Sequence, residues 1–203
     1  MRRHLIAFIA VGLAVVAVPA SASAFTITLT NDNTYSPPSA GLDLGDGSFD
    51  WQWGPGGAGL LDLHNVVSDD ALFTSGDPAA SRPGGFSVTA SAGTYPYFCV
   101  LHLGMEGVVS VTPVVAPTDT GQGPIRLIWA SPDTTTGASY DVRYRTGKKW
   151  KKWKSDTGKQ SGVFGKRRQP VKVKAGRSYQ FRARSRSGKK HRSDWSPTLT
   201  VER

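Results

Sequence analysis

The chain has 203 residues and a formal net charge of +10, a length that allows one or two domains. Its 23 Gly and 13 Pro, with few long runs of helix formers, favour short strands and turns over a helical bundle. A single cysteine rules out an intrachain disulfide and every motif needing two thiols, including haem c attachment, zinc ribbons and iron–sulfur clusters.

At the N-terminus, Met1 to His4 is basic, Leu5 to Val18 is almost wholly apolar, and Ala22-Ser23-Ala24 is a small-residue cleavage signal. This reads as a secretory signal peptide over 1–24, cut after Ala24. No second apolar run of membrane-spanning length follows. The mature chain is therefore expected to be secreted or periplasmic and not membrane-spanning.

Residues 25–115 follow a period-two pattern. Phe25, Ile27 and Leu29 alternate with threonines, and Asn31-Asp32-Asn33 marks a turn. Phe49, Trp51 and Trp53 alternate, as do Phe86, Val88 and Ala90. Ala92-Gly93 reads as a turn, Tyr95, Tyr97 and Cys99 alternate, and Val108 to Val111 closes the segment. Such strands separated by Gly, Pro and Asp clusters indicate a sandwich or barrel of antiparallel strands. The Pro- and Gly-rich stretch from Asp77 to Gly85 reads as a surface loop.

The charge then reverses. Residues 25–115 have a net charge of −8, with Arg82 as their one base, whereas 116–203 have +16. A reversal of that size argues for two modules, 25–115 and 116–203. Three prolines and no periodicity between Thr112 and Pro124 read as the end of one module, a short linker and the entry to the next. The second half is also β: Ile125, Leu127 and Trp129 alternate, then Tyr140, Val142 and Tyr144, then Tyr179, Phe181 and Ala183. Val171 and Val173 lead to a turn at Ala175-Gly176, and Trp195 to Val201 ends the chain in the same alternation.

The chemistry lies in His64, Cys99, His102 and Met105. The last three share a C-x2-H-x2-M loop, and His64 comes from 35 residues earlier. Two imidazoles, a thiolate and a thioether suit copper: soft sulfur binds Cu(I), imidazole binds both oxidation states, and His₂Cys with a weak axial Met makes a blue electron-transfer site. Zinc sites do not take a thioether as fourth ligand, and calcium and magnesium want oxygen donors. The plainer alternative is that Cys99 and Met105 are core residues and the histidines incidental. Against it, the only thiol and the only Met after the initiator share one loop with a His, in an oxidising compartment where an unused thiol is a liability.

The run Gly93-Thr94-Tyr95-Pro96-Tyr97-Phe98-Cys99-x2-His102, with His64-Asn65-Val66-Val67 before it, resembles the cupredoxins, and the two-residue gap to Met105 is similar to that of the amicyanin group. The resemblance covers most of 25–115. It implies a Greek-key sandwich holding one type 1 copper that shuttles single electrons. It also implies His64, Cys99 and His102 as equatorial ligands, Met105 as axial ligand, and an Asn65 side chain tying two ligand loops. The Gly54-to-Gly59 run departs from the family pattern beside His64. With His102 outermost, Leu101 and Leu103 form an apolar rim, where redox donor and acceptor proteins dock or which merely caps the copper. Multicopper enzymes need more histidines than the remaining His191 supplies, and no Ser/His/Asp set is present, so the chain is not read as an enzyme. Copper sequestration or delivery, and adhesion with a structural copper, are the competing functions.

Residues 116–203 resemble, more weakly, a fibronectin type III domain, an immunoglobulin-like sandwich. The resemblance rests on Trp129, Tyr140-Asp141-Val142-Arg143-Tyr144, the segment Ala175 to Ala183, and Ser193-Asp194-Trp195-Ser196. It implies Trp129 as a core plug and Tyr179 as a tyrosine corner. Lys148 to Lys154 interleaves cations with Trp150 and Trp153, and Arg182, Arg184 and Arg186 share one strand face. This field attracts polyanions such as an anionic cell-surface polymer; nucleic acid is disfavoured because the chain is exported. Two alternatives stand beside that: the Trp residues pack in the sandwich while the cations only solvate its face, or the basic module leans on the acidic one through charge.

Overall fold

The computed structural model describes residues 23–54, 63–166 and 171–203. Residues 1–22 of the signal-peptide reading over 1–24, and most of the Gly54-to-Gly59 run, lie outside the described residues. No helix is present among the described residues, and the chain is all-β. No described helix is long and apolar enough to cross a membrane.

The strands are β1 (Ser23–Leu29), β2 (Tyr35–Ser36), β3 (Ser39–Asp43), β4 (Gly47–Trp53), β5 (Val67–Ser68), β6 (Phe86–Val88), β7 (Gly93–Phe98) and β8 (Glu106–Thr112). There follow β9 (Val114–Val115), β10 (Ile125–Ile128), β11 (Ser139–Arg145), β12 (Lys151–Thr157), β13 (Ser161–Phe164), β14 (Ser178–Ser187), β15 (His191–Arg192) and β16 (Leu199–Glu202). Ser23 and Ala24 belong to β1, so the expected cut after Ala24 falls inside this strand; the ladder from Phe25↔Phe49 onward lies beyond it.

Two sheets, β2-β1-β4-β6 and β3-β8-β7-β5, enclose the first core. The alternation read from the sequence sets which side chains turn inward: Ile27, Leu29, Phe49, Trp51, Val88, Tyr95 and Tyr97 are all buried in one cluster. Trp51 sits at its centre, with Tyr97 edge-on at 5.2 Å and Phe73 and Phe86 tilted against it. The expectation of antiparallel strands needs correcting at two places. β1 runs parallel to β4, and β3 parallel to β8. Between β1 and β4 the chain crosses to the other sheet to form β3, and a crossover is what parallel neighbours require. Gly93, read as a turn, instead opens β7.

The second core lies between β13-β10-β9 and β12-β11-β14-β15, with β16 on β14. Trp129 is fully buried, with its indole N–H donating to the Lys159 carbonyl. The Tyr179 hydroxyl accepts the Lys174 N–H, a bond back to the backbone upstream as in a tyrosine corner. Val171 and Val173 form no strand, although both pack on this core. The basic run holds the strand β12, which charge had masked. Its Trp153 packs against Phe164 and Phe181, so the packing alternative holds for that ring.

Between Thr112 and Pro124, Val114 and Val115 form β9 and pair with β10, so this stretch is no free linker. The two units also meet through backbone and buried hydroxyls. Thr94 and Asp194 exchange N–H···O bonds of 3.1 and 2.9 Å, Ala92 N–H donates to the Trp129 carbonyl, and Ser91 N–H donates to Thr136 Oγ1. The ion pairs among the described residues all join groups between 119 and 203. Among the described residues the units are therefore joined by directional hydrogen bonds, and none of these ion pairs crosses between them.

The second unit stakes part of its stability on Asp141, which is 5% exposed. Its carboxylate accepts from Arg184 Nε and Nη2, Arg186 Nη1 and the Asp156 N–H. Burial raises its pKa, but these donors outweigh burial and hold it at about 2. A depressed carboxyl contributes stability that is complete above its unfolded value of ~3.9 and is lost as pH falls toward 2. Replacing Asp141 by Asn should cost about 2–3 kcal/mol at pH 7, with the difference from wild type shrinking between pH 4 and 2 in urea titrations. An equal difference at both ends of that range would contradict this account.

Candidate metal centre

Strand parity delivers the thiol. Along β7, residues 93, 95 and 97 point into the core, and Cys99, the next in phase, is 3% exposed. The chain then turns at once: the His102 carbonyl accepts the Met105 N–H at 3.0 Å, and Cys99 N–H donates to the Met105 carbonyl at 3.0 Å. Gly104 is the third residue of this turn and has φ of +85°, the left-handed value that a type II turn demands there. The short loop therefore throws His102 back over Cys99.

His64 is brought in by register. β5 pairs with β7 through Val67↔Phe98 and Ser68↔Tyr97. Continuing that ladder sets Asn65 opposite Val100 and places His64 beside the loop. Both backbone groups of His64 bond Ala79, at 3.0 and 2.9 Å. The Asp77-to-Gly85 segment, read only as a surface loop, thus also buttresses His64.

The Asn65 amide crosses between the loops. Its Oδ1 accepts the Val100 N–H at 3.0 Å and its Nδ2 donates to the Gly76 carbonyl at 2.9 Å. Its own carbonyl accepts the Tyr35 hydroxyl at 2.6 Å. Burial, then the proximity of Cys99 and Tyr97, pushes the Tyr35 pKa far above the ordinary phenol range. The hydroxyl is consequently a permanent donor at any ordinary pH. Sequence reasoning found Asn65 through the family resemblance but not Tyr35, whose isolated position in the sequence carries no signal of a long-range bond.

The result is a compact trio. The ligand atoms of His64, Cys99 and His102 lie within 4.8 Å of one another. His64 Nδ1 and His102 Nδ1 are 3.1 Å apart, and Cys99 Sγ is 3.5 Å from His102 Nδ1. Metal–nitrogen bonds of ~2.0 Å and metal–sulfur bonds of ~2.3 Å put donors in a trigonal plane roughly 3.5 Å apart, so the trio is near the size of a three-donor cradle. Its two nitrogens and one thiolate are the borderline and soft donors that copper takes. Met105, at the end of the loop, is 1% exposed and packs in the first core. His64 and Cys99 are buried while His102 is half-buried, so His102 is the outermost of the three. The rim around it is apolar: Val100, Leu101 and Leu103 are 51%, 54% and 107% exposed, and they are the exposed large hydrophobic residues among the described ones. Val100 belongs to that rim although only the two leucines stood out in the sequence.

His191, the remaining histidine of the expected mature chain, lies apart from the trio, on β15, with its ring against the Asp70 carbonyl at 3.1 Å.

No family model matches the chain, and no curated protein matches it. Among solved structures, the reduced state of an amicyanin mutant is similar at 22% identity, covering 46% of this chain and 86% of that one, with a TM-score of 0.35. A crystal structure of titin domains is similar at 15% identity, covering 70% of this chain and 55% of the other, with a TM-score of 0.30. Both likenesses are weak.

Removing the Asn65 amide leaves the Val100 N–H and Gly76 carbonyl without their partner and should cost roughly 1–3 kcal/mol. In Asn65→Ala, metal dissociation should speed up at least tenfold while stoichiometry is kept. Competition with a copper chelator reads this, and an unchanged off-rate would show that the tie does not hold the site.

Proposed function

We propose that the chain is an exported type 1 copper protein, a cupredoxin module joined to a basic fibronectin type III-like module, that carries single electrons between redox proteins and is not itself an enzyme. The observation that carries this is the convergence of His64, Cys99 and His102 at the rim of an otherwise closed sandwich. His64, Cys99 and His102 would hold the ion, with Met105 as the weak fourth ligand. Bound copper supplies reversible one-electron chemistry.

The protein's part is to keep the donors still. Cys99 and His102 are fixed by the turn closed at Met105, His64 by its pairing with Ala79, and the two segments by Asn65. Donors that do not move between oxidation states keep reorganisation small. Burial of His64 and Cys99 excludes water, and the half-buried His102 edge would be the way out for an electron. Val100, Leu101 and Leu103 surround that edge with a small apolar patch suited to brief docking of donor and acceptor proteins. Sequestration or delivery is served better by open, exchangeable ligands, and two buried donors weigh against it. The basic module serves as an attachment or interaction element for an anionic surface.

Addition of Cu(II) to the purified protein should give an intense blue colour, abolished in Cys99→Ser, and cyclic voltammetry should show fast, reversible one-electron exchange. A colourless complex, or a spectrum indifferent to Cys99→Ser, would overturn the reading. Leu103→Asp should slow bimolecular electron exchange with a small redox protein at least tenfold and leave colour and potential nearly unchanged. Equal rates in stopped-flow mixing would remove the docking role.

A further inference from the structure

The outer face of the sheet β12-β11-β14-β15 carries an arrangement that sheets ordinarily avoid. Arg143 stands in register with Arg182 on one side and Lys152 on the other. Arg186 stands opposite Arg192. Like charges directly opposite one another on neighbouring strands are destabilising.

Two devices hold the cations in place. Asp141 engages Arg184 and Arg186. The Trp195 ring has the guanidinium carbons of Arg143, Arg184 and Arg182 at 4.4, 4.5 and 5.0 Å from its centre, within cation–π range. Trp150 does the same for Arg182 and Arg145, at 4.3 and 4.7 Å. Neither device cancels the excess charge. Burial, then the charges of Arg143, Arg145 and Arg184, lowers the pKa of Arg182, as a repulsive field requires.

At the centre of this face is a cleft of about 260 Å³. Six cationic side chains line it, Arg143, Lys152, Lys154 and Arg192 among them, with Asp141 as the one acid and Trp195 as a wall. The Arg143 guanidinium is pre-oriented by its strand and by the stacked Trp195 indole, whereas Arg184 and Arg186 are engaged by Asp141 and shape the cleft wall. Arg recognises tetrahedral oxyanions through two parallel N–H bonds, and a fork already held in place loses little entropy on binding.

We propose that this cleft is a binding site for the sulfate or phosphate esters of an anionic polysaccharide. Two observations select that class. The indole faces that a nucleic acid base would stack on are covered by guanidinium groups, which removes the stacking contribution that single strands rely on. The exposed large hydrophobic residues among the described ones, Val100, Leu101 and Leu103, all belong to the metal-site loop, so the described part of this face presents charge rather than an apolar anchor. The site stands apart from the copper reading, since none of its lining residues belongs to the His64, Cys99 and His102 trio.

The test uses the full protein without added copper. Dextran sulfate and a phosphorylated dextran, with plain dextran as the uncharged control, are titrated by calorimetry at about 0.15 M salt. Two triple variants losing equal charge are compared: Lys152→Ala/Lys154→Ala/Arg192→Ala, within the cleft, and Lys166→Ala/Lys172→Ala/Arg177→Ala, outside it. Circular dichroism checks that both remain folded. The expected result is binding to one or both charged dextrans, weakened at least tenfold by the cleft triple and less than twofold by the other. The two charged dextrans distinguish sulfate from phosphate ester. Equal weakening by both triples reduces the effect to a diffuse positive field and overturns the proposal. So does tighter binding to a single-stranded oligonucleotide or to phosphatidylserine vesicles at matched charge. A failure here leaves the colour and voltammetry of the copper site untouched, and the converse also holds.

Discussion

The Asn65 side chain is the smallest part on which the most depends. One amide spans two loops that are 35 residues apart in sequence, accepting from Val100 and donating to Gly76, while its own carbonyl is held by the buried Tyr35 hydroxyl. Each bond is worth only about 1 kcal/mol net. Their significance lies in direction: the amide oxygen, the amide nitrogen and the carbonyl each hold a different segment, so the segment bearing His64 has one orientation relative to the segment bearing Cys99 and His102. A three-donor site with ring nitrogens 3.1 Å apart has no tolerance for loops that slide.

The same economy appears in the loop that follows β7. A turn whose third residue must be left-handed, Gly104, lets Met105 return to the backbone of Cys99. The side chains left over, Val100, Leu101 and Leu103, cannot enter the core because the turn is too short to fold them under. Rigidity of the donor trio and an apolar rim around His102 thus have one cause. Interior and surface properties of the first unit come from the same seven residues.

The second unit solves the opposite problem. Its core is aromatic and ordinary, with Trp129, Trp153, Phe164 and Phe181 in edge-to-face contact. Its outer face gathers guanidinium groups that repel one another, held by a buried aspartate and two indoles. The hydrogen bonds across the junction between the units include neutral groups, Thr94, Ser91, Thr136 and the backbone of Asp194, beside the strong charge contrast. Hydrogen bonds between neutral groups fix geometry with little dependence on salt, whereas long-range attraction between charges is screened by it.

Much of this was legible in the chain itself. Period-two alternation identified the inward faces of β1, β4, β7, β10, β11 and β14, because a pleated strand turns alternate residues to one side whatever surrounds it. The C-x2-H spacing placed Cys99 and His102 in one loop, and the structure brings His64 to them. Alternation could not reveal β12, whose solvent side is a run of lysines, or the two-residue strands β5 and β9, which exist only because a partner strand is there to bond. Nor could it give direction: the parallel pairing of β1 with β4 and of β3 with β8 follows from where the chain crosses between sheets. The roles of Ala79 and Tyr35 as supports of His64 and Asn65 were likewise set by tertiary structure alone. Local sequence fixes which way a side chain faces and what it can bind; which distant backbone it meets is decided only when the sheets pack.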